Sequence, residues 1–307
     1  MFLNRIYYTI KPLIPRRLQI FFRRQLVAYK RRQYSHIWPI DPSSAKAPDG
    51  WSGWPDQKQF ALILTHDVDT AKGHNQCKLL MDLEKRLGFR SSFNFVPERY
   101  DVSEQLLNDL CKNKFEVGVH GLLHDGKLYS SKECFDERAI RINNYIKKWG
   151  SVGFRSPAMH CNLEWINSLD IEYDCSTFDT DPFEPQPHGT STIFPFWVKG
   201  RGNKDGYCEL PYTLPQDFTL YIIMMEKTNK IWKEKLAWIV EKGGMALLNT
   251  HPDYMNFNKR TSNIEEYSVE YYAEFLNHIR DKYEGQYWHV RPREISSFFR
   301  SFTYNSK

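Results

Sequence analysis

The 307-residue chain has six cysteines and no C-x-x-C pair among them. Cys77, Cys111, Cys134, Cys161, Cys175 and Cys208 therefore offer neither a zinc ribbon nor a dithiol redox centre. In a chain of this length they read as reduced, mostly buried thiols and suit a cytoplasmic compartment better than a disulfide framework. No apolar run approaches the roughly 18 residues that a membrane-crossing helix needs. No internal repeat is present, which excludes solenoid and propeller arrays. Acidic residues are missing from positions 1–33, although Asp and Glu total 37 in the chain.

What is present fits one large α/β domain with an extension. Hydrophobic residues make up 41% and charged residues 26%, a globular balance, and aromatics reach 15%. The net charge of +5 conceals an asymmetry. Arg5, Lys11, Arg16, Arg17, Arg23, Arg24, Lys30, Arg31 and Arg32 crowd into residues 1–33, leaving 33 basic against 37 acidic residues in the rest. A basic arm on a mildly acidic body is no design for a nucleic-acid-binding domain.

After Pro15 the arm has the pattern of an amphipathic helix. Basic pairs recur every seven residues while Leu18, Phe21, Phe22, Leu26 and Tyr29 follow the i, i+3, i+4 spacing. Such a helix can lie on an anionic membrane, or it can pack its apolar face on the body and leave its charges in water. Residues 34–58, rich in Pro, Gly and Trp, read as a linker or a wrapped strap. From residue 59 to about 303, short apolar runs at 60–66, 90–96, 115–119, 151–155, 171–177, 206–210, 245–250 and 286–290 alternate with helical stretches. That alternation predicts a parallel α/β sheet, open or closed, with its chemistry at the carboxyl ends of the strands.

Those strand ends carry ionisable groups. FALILTHDVD ends with Asp67 and Asp69 two residues apart, so an extended backbone points both to one side and His66 and Val68 to the other. Buried acids there are costly unless a cation or hydrogen bonds compensate them. FEVGV ends at His120, with His124 four residues on. On the first turn of a helix that spacing sets both imidazoles on one face. Two imidazoles with one carboxylate form a common three-ligand set for Zn²⁺. VGFRSP delivers Arg155, IEYDCSTFDTD delivers Asp174, Asp179 and Asp181, and MALLNTHPDY ends at His251 with Asp253 behind. Between 178 and 212, Phe183, Phe194, Phe196, Trp197 and Tyr212 can stack on sugar faces or form a small core of their own.

In order and rough spacing, THDVD, HGLLH, FRSPAMH, YDCSTFD and LLNTH resemble the five motifs of the polysaccharide deacetylases, carbohydrate esterase family four, which includes the nodulation-factor deacetylases. The resemblance spans about residues 60–300. The first motif is the D-x-D variant, the usual R-P-P-Y-G becomes Arg155-Ser156-Pro157-Ala158-Met159, and no Trp follows Asp179 directly. The resemblance implies a deformed (β/α) barrel with an N-terminal basic helical extension, working as a metal-dependent hydrolase that removes N-acetyl groups from an amino sugar of a glycan or glycan precursor. By motif position Asp69, His120 and His124 hold one divalent ion, of the Zn²⁺ type. Asp67 is then the general base, Arg155 its partner and His251 the general acid, steered by one of Asp174, Asp179 or Asp181. The rivals are hydrolysis of another C–N bond, in a small cyclic amide or imide, and glycan binding without turnover. The expected partners are the acetylated glycan and an anionic membrane at its inner face, and no nucleic acid.

Overall fold

The computed structural model describes residues 14–186, 188–200, 205–258 and 263–305; residues 1–13 of the basic arm lie outside the described residues. After α1 (Arg16–Gln33) and the strap, strand and helix alternate through β1 (Phe60–Val68), α2 (Ala71–Leu87), β2 (Ser92–Phe95), α3 (Glu104–Lys112), β3 (Glu116–His120), α4 (Lys132–Trp149) and β4 (Gly153–Arg155). The next stretch is less regular. A single turn α5 (Leu163–Ile166) leads to β5 (Tyr173–Asp174), β6 (Phe196–Lys199) and β7 (Gly206–Glu209), then to a π-helical turn at Phe218–Ile223. α6 (Lys230–Lys242), β8 (Met245–Thr250), β9 (Met255–Asn256), β10 (Tyr267–Ser268), α7 (Glu270–Tyr283), β11 (Tyr287–His289) and α8 (Pro292–Asn305) complete the described chain.

β1 is buried at every position. Covered on both faces, it has no solvent side and so no alternation of polar and apolar residues. Its carboxyl half pairs in parallel with β2, its first three residues pair with β11, and its other edge pairs with β8 from Ala61 to His66. The sheet runs on in parallel from β2 through β3, β4 and β5 to β7. β6 is antiparallel to β7, an edge hairpin that the sequence reading left without an element.

The ring closes beyond β7. Leu214 forms a single parallel bridge with Leu248 of β8, and the N–H groups of Thr213 and Leu214 both donate to the Leu247 carbonyl. The Thr213 side chain completes the seam: its hydroxyl donates to the Met245 carbonyl at 2.7 Å and accepts the Leu247 N–H at 3.0 Å. The result is a deformed (β/α) barrel in which one staggered junction is held by a hydroxyl in place of a full ladder. Apart from β11, which ends against Leu62, the parallel strands of the ring end at one rim, which carries Asp67, His120, Arg155, Asp174, Glu209 and Thr250.

The segment at 34–58 is a strap. Trp38 and Trp54 are buried in the same core as the barrel. The Trp54 indole donates to the Gly243 carbonyl at 2.8 Å, and Trp51 packs edge-on against Trp54, Phe194 and Phe302. The aromatics of the 178–212 region mostly serve this packing. Phe194 and Tyr212 are buried, and Phe183 stands against Trp38 at 5.0 Å. Phe183, Phe194 and Tyr212 thus take a core role, while Phe196 and Trp197 are half-buried on β6.

Candidate active site

At the barrel rim Asp69, His120 and His124 each offer one ligand atom, all within 4.8 Å of one another. Asp69 Oδ1 is 3.2 Å from His124 Nε2 and 3.4 Å from His120 Nε2. His120 is the last residue of β3 and points into the ring. His124 does not lie on a helix, as its spacing suggests. It sits in an irregular loop with φ of +52°, and Gly121, at φ +60°, begins that loop. A Cβ at Gly121 would meet Pro157 at 2.3 Å, so the absence of a side chain lets this loop lie against the segment that follows Arg155.

These residues suit a divalent cation. Asp69 Oδ1 is buried and receives no hydrogen bond. His120 Nδ1 faces the Arg155 carbonyl at 3.1 Å. A carbonyl only accepts, so Nδ1 carries the proton and Nε2 turns its lone pair toward the carboxylate. Lone pairs from two imidazoles and a carboxylate converging on one point repel unless a cation sits among them. Burial opposes ionisation of Asp69, yet the His124 and His120 imidazoles beside it hold its carboxyl well below the usual range. Asp253 braces the ligand from behind, accepting the Asp69 N–H at 2.9 Å and the Thr70 hydroxyl. Gly73 makes room for it, since a Cβ there would stand 2.1 Å from Asp253 Oδ2.

Beside the triad lies Asp67, one side chain away on the same face of β1, as the D-x-D spacing predicts. Asn94 and Asn249 donate to its two oxygens, each at 2.9 Å, and Arg155 Nη1 is 3.6 Å from Oδ2. Burial raises the Asp67 carboxyl, but Arg155, His120, His251 and the Asn94 amide outweigh it and the net shift is downward. Asp67 is thus a carboxylate held ionised inside a closed site.

On the opposite side stands His251, at the end of β8. Its Nδ1 is 2.7 Å from Asp217 Oδ1, and its backbone N–H donates to Asp217 Oδ2 at 2.8 Å. Tyr267 donates to the same Oδ2 at 3.0 Å, and the Phe218 N–H donates to Oδ1 at 2.8 Å. Burial lowers the imidazole pKa, but Asp217 first, then Asp69 and Asp67, push it up to about 10. That shift favours the imidazolium at neutral pH, with Nδ1 committed to Asp217.

The carboxylate bonded to His251 is Asp217, and none of the three sequence candidates takes that place. Asp174 lies against its register partner Glu209, and burial drives both carboxyls upward. Asp179 is bonded to Lys235, and Asp181 accepts from Tyr212. Asp217 follows Leu214 by three residues and so belongs to a strand end too, but its strand is held by isolated bridges and leaves no apolar run to read.

No family model matches the chain, and no curated protein matches it. Solved structures do. One described as a polysaccharide deacetylase from Mycobacterium smegmatis superposes with a TM-score of 0.63 at 16% identity, covering 84% of this chain and 96% of that one. PuuE allantoinase superposes at 0.61 with 14% identity, covering 86% and 98%. A structure described as a polysaccharide deacetylase from Pseudomonas aeruginosa PAO1 gives 0.53 at 15% identity, covering 80% and 92%. At these identities the likeness establishes the shared fold.

Proposed function

We propose that the chain is a metal-dependent hydrolase that removes N-acetyl groups from an amino sugar. One observation carries this reading. The Asp69, His120 and His124 triad sits between a buried carboxylate with a guanidinium beside it and an imidazolium with a carboxylate behind it. A triad with a base on one side and an acid on the other is what amide hydrolysis requires. The resemblance of the motifs and the likeness to two structures described as polysaccharide deacetylases support an N-acetylated amino sugar as the substrate class.

A divalent ion of the zinc type, when bound, lowers the pKa of water from about 15.7 toward 7 and polarises a carbonyl. Asp67, ionised and fixed by two asparagine amides, accepts the proton of the attacking water. Arg155 keeps that carboxylate charged. His251 gives its Nε2 proton to the departing nitrogen, because an amide anion does not leave. Asp217 fixes the imidazole through Nδ1 and stabilises its charge, so Nε2 alone is directed at the substrate.

Two results test this scheme. Elemental analysis of the purified chain is expected to give about one divalent ion per molecule, and His124→Ala, which removes one of three ligands, is expected to lose it. No metal in wild type after incubation with Zn²⁺ would end the metal reading. The second result concerns pH. A general acid works only while protonated, so activity falls as pH rises through the His251 pKa. Asp217 is the largest contributor raising that pKa. Asp217→Asn should shift the alkaline limb of the kcat profile to lower pH, and an unmoved limb would mean that another group supplies the proton.

A second reading has its own support. PuuE allantoinase has nearly the same TM-score as the first deacetylase, and this reading assigns the site a small cyclic amide or imide as substrate. Amine release from acetylated amino sugars beside ring opening of small imides decides between the two.

A further inference from the structure

Helix α1 has its amphipathic pattern turned inside out. The side chains that reach the body are its cations. Arg24 donates to the Ile222 carbonyl at 3.0 and 2.8 Å, Lys30 donates to the Pro182 carbonyl at 3.0 Å, and Arg31 pairs with Glu226 at 2.7 Å. Arg16 pairs with Glu265 at 3.3 Å, and Arg23 stacks 4.9 Å from the centre of the Phe218 ring. Only Ile20 and Val27 bury apolar side chains on that inner face.

The outer face carries Leu18, Phe22, Leu26 and Tyr29, spaced i, i+4, i+8 and i+11, with Phe21 alongside. All five are exposed, Phe22 by 61% and Tyr29 by 63%. They make up five of the nine large exposed hydrophobic residues among the described residues. Packing of the apolar face on the body, with the charges left in water, does not have this form, because the body takes the charges and leaves the apolar stripe open. The helix is not long and apolar enough to cross a membrane.

We infer that α1 docks lengthwise on an anionic bilayer, with the stripe of Leu18, Phe22, Leu26 and Tyr29 entering the headgroup boundary. Charge selects this occupant. Exposed Arg17 and Arg32 stand toward one side of the stripe, and residues 1–33 contain no acid to repel anionic lipid. The remainder of the chain is net acidic, so the excess positive charge that an anionic surface attracts is carried by residues 1–33. A second copy packed stripe to stripe would instead bring two cationic helices together.

The docking face also lies beside the site. Phe218, under Arg23, packs 4.9 Å from Tyr254, which packs 5.3 Å from His251. A helix with its side chains is about 10–12 Å across. Between His251 and the lipid would then stand only the helix itself and the Phe218 and Tyr254 rings, which suits an amino sugar borne on a lipid. That consequence rests on the deacetylase reading, whereas the docking does not.

The test is co-sedimentation of the full chain with phosphatidylcholine vesicles, with and without phosphatidylglycerol, at low and high salt. Wild type is expected to bind the anionic vesicles at least about tenfold more tightly than the neutral ones, less so at high salt. The variant Phe22→Ser/Leu26→Ser/Tyr29→Ser changes only exposed side chains and is expected to lose about tenfold or more of that affinity while keeping the wild-type circular dichroism. Arg17→Glu/Arg32→Glu is expected to lose the preference for phosphatidylglycerol. No binding by wild type overturns the inference. So does a triple serine variant that binds as wild type does, which would move the contact elsewhere, residues 1–13 included. A wild-type dimer that the serine variant makes monomeric, without vesicle binding, would show that the stripe is a self-association face. Because vesicle binding is read without turnover, a failed deacetylase assay leaves this result standing.

Discussion

Replacing Asp67 by Asn should lower kcat for amide hydrolysis by about 10²–10⁴-fold, the range that a positioned general base contributes, while metal content stays at the wild-type level. Asn is nearly isosteric, so the pocket keeps its shape, but it cannot accept a proton. One of its atoms also becomes a donor facing the donating amide of Asn94 or Asn249, which adds a local mismatch. Asp67 is only one side chain from the triad, its Oδ2 standing 4.0 Å from His120 Nε2, so metal content discriminates between roles. A rate loss with metal retained identifies the base. Parallel loss of metal and rate would make Asp67 a ligand, and a variant keeping most of its kcat would remove it from the chemistry. The pH profile adds a sign. A base works while deprotonated, so activity set by Asp67 is lost as pH falls through its pKa. Its carboxyl is held below the ordinary value near 3.9. Wild type should then show no acid limb from this group across the neutral range.

Much of this site is legible in the sequence because parallel barrel strands end abruptly. A covered strand is apolar until it reaches the rim, and the first polar residues after such runs are the ones that face the centre. His120 and Arg155 occupy that position, Asp67 and His251 follow two residues after the first polar one, and register makes neighbours of His120 and Arg155. What could not be read follows from three physical limits. A four-residue histidine spacing fits a helical turn and a left-handed loop equally, and His124 takes the loop. Asp217 follows a segment held by isolated bridges and the Thr213 hydroxyl, which needs no apolar repeat. The facing of α1 is ambiguous because arginine and lysine stems are long enough to bring their charges to a protein surface or to water. Here carbonyls at Pro182 and Ile222 and the carboxylates of Glu226 and Glu265 draw them inward.

Lys235→Met should be the most destabilising single change in the barrel wall, by about 3–5 kcal/mol, because it breaks a buried ion pair from one side only. Lys235, on α6, places its Nζ 2.6 Å from Asp179 Oδ2, and both side chains are 1% exposed. Even with its partner present, burial pushes the Asp179 carboxyl up to about 6. A carboxyl whose folded pKa lies above its unfolded value near 3.9 binds its proton more tightly when folded. Its ionisation therefore costs stability as pH rises through the folded pKa, and the cost disappears as the group becomes protonated. Without Lys235 that pKa rises further, so the stability lost in urea unfolding should be larger at pH 8 than at pH 5. The double variant Lys235→Met/Asp179→Asn, which removes the charge as well as its partner, should recover most of the loss at pH 8. Equal losses at both pH values, or no recovery in the double variant, would mean that the lysine stem stabilises α6 by packing alone. Recovery would instead assign Asp179 to the wall of the barrel and leave Asp217 as the carboxylate that serves His251.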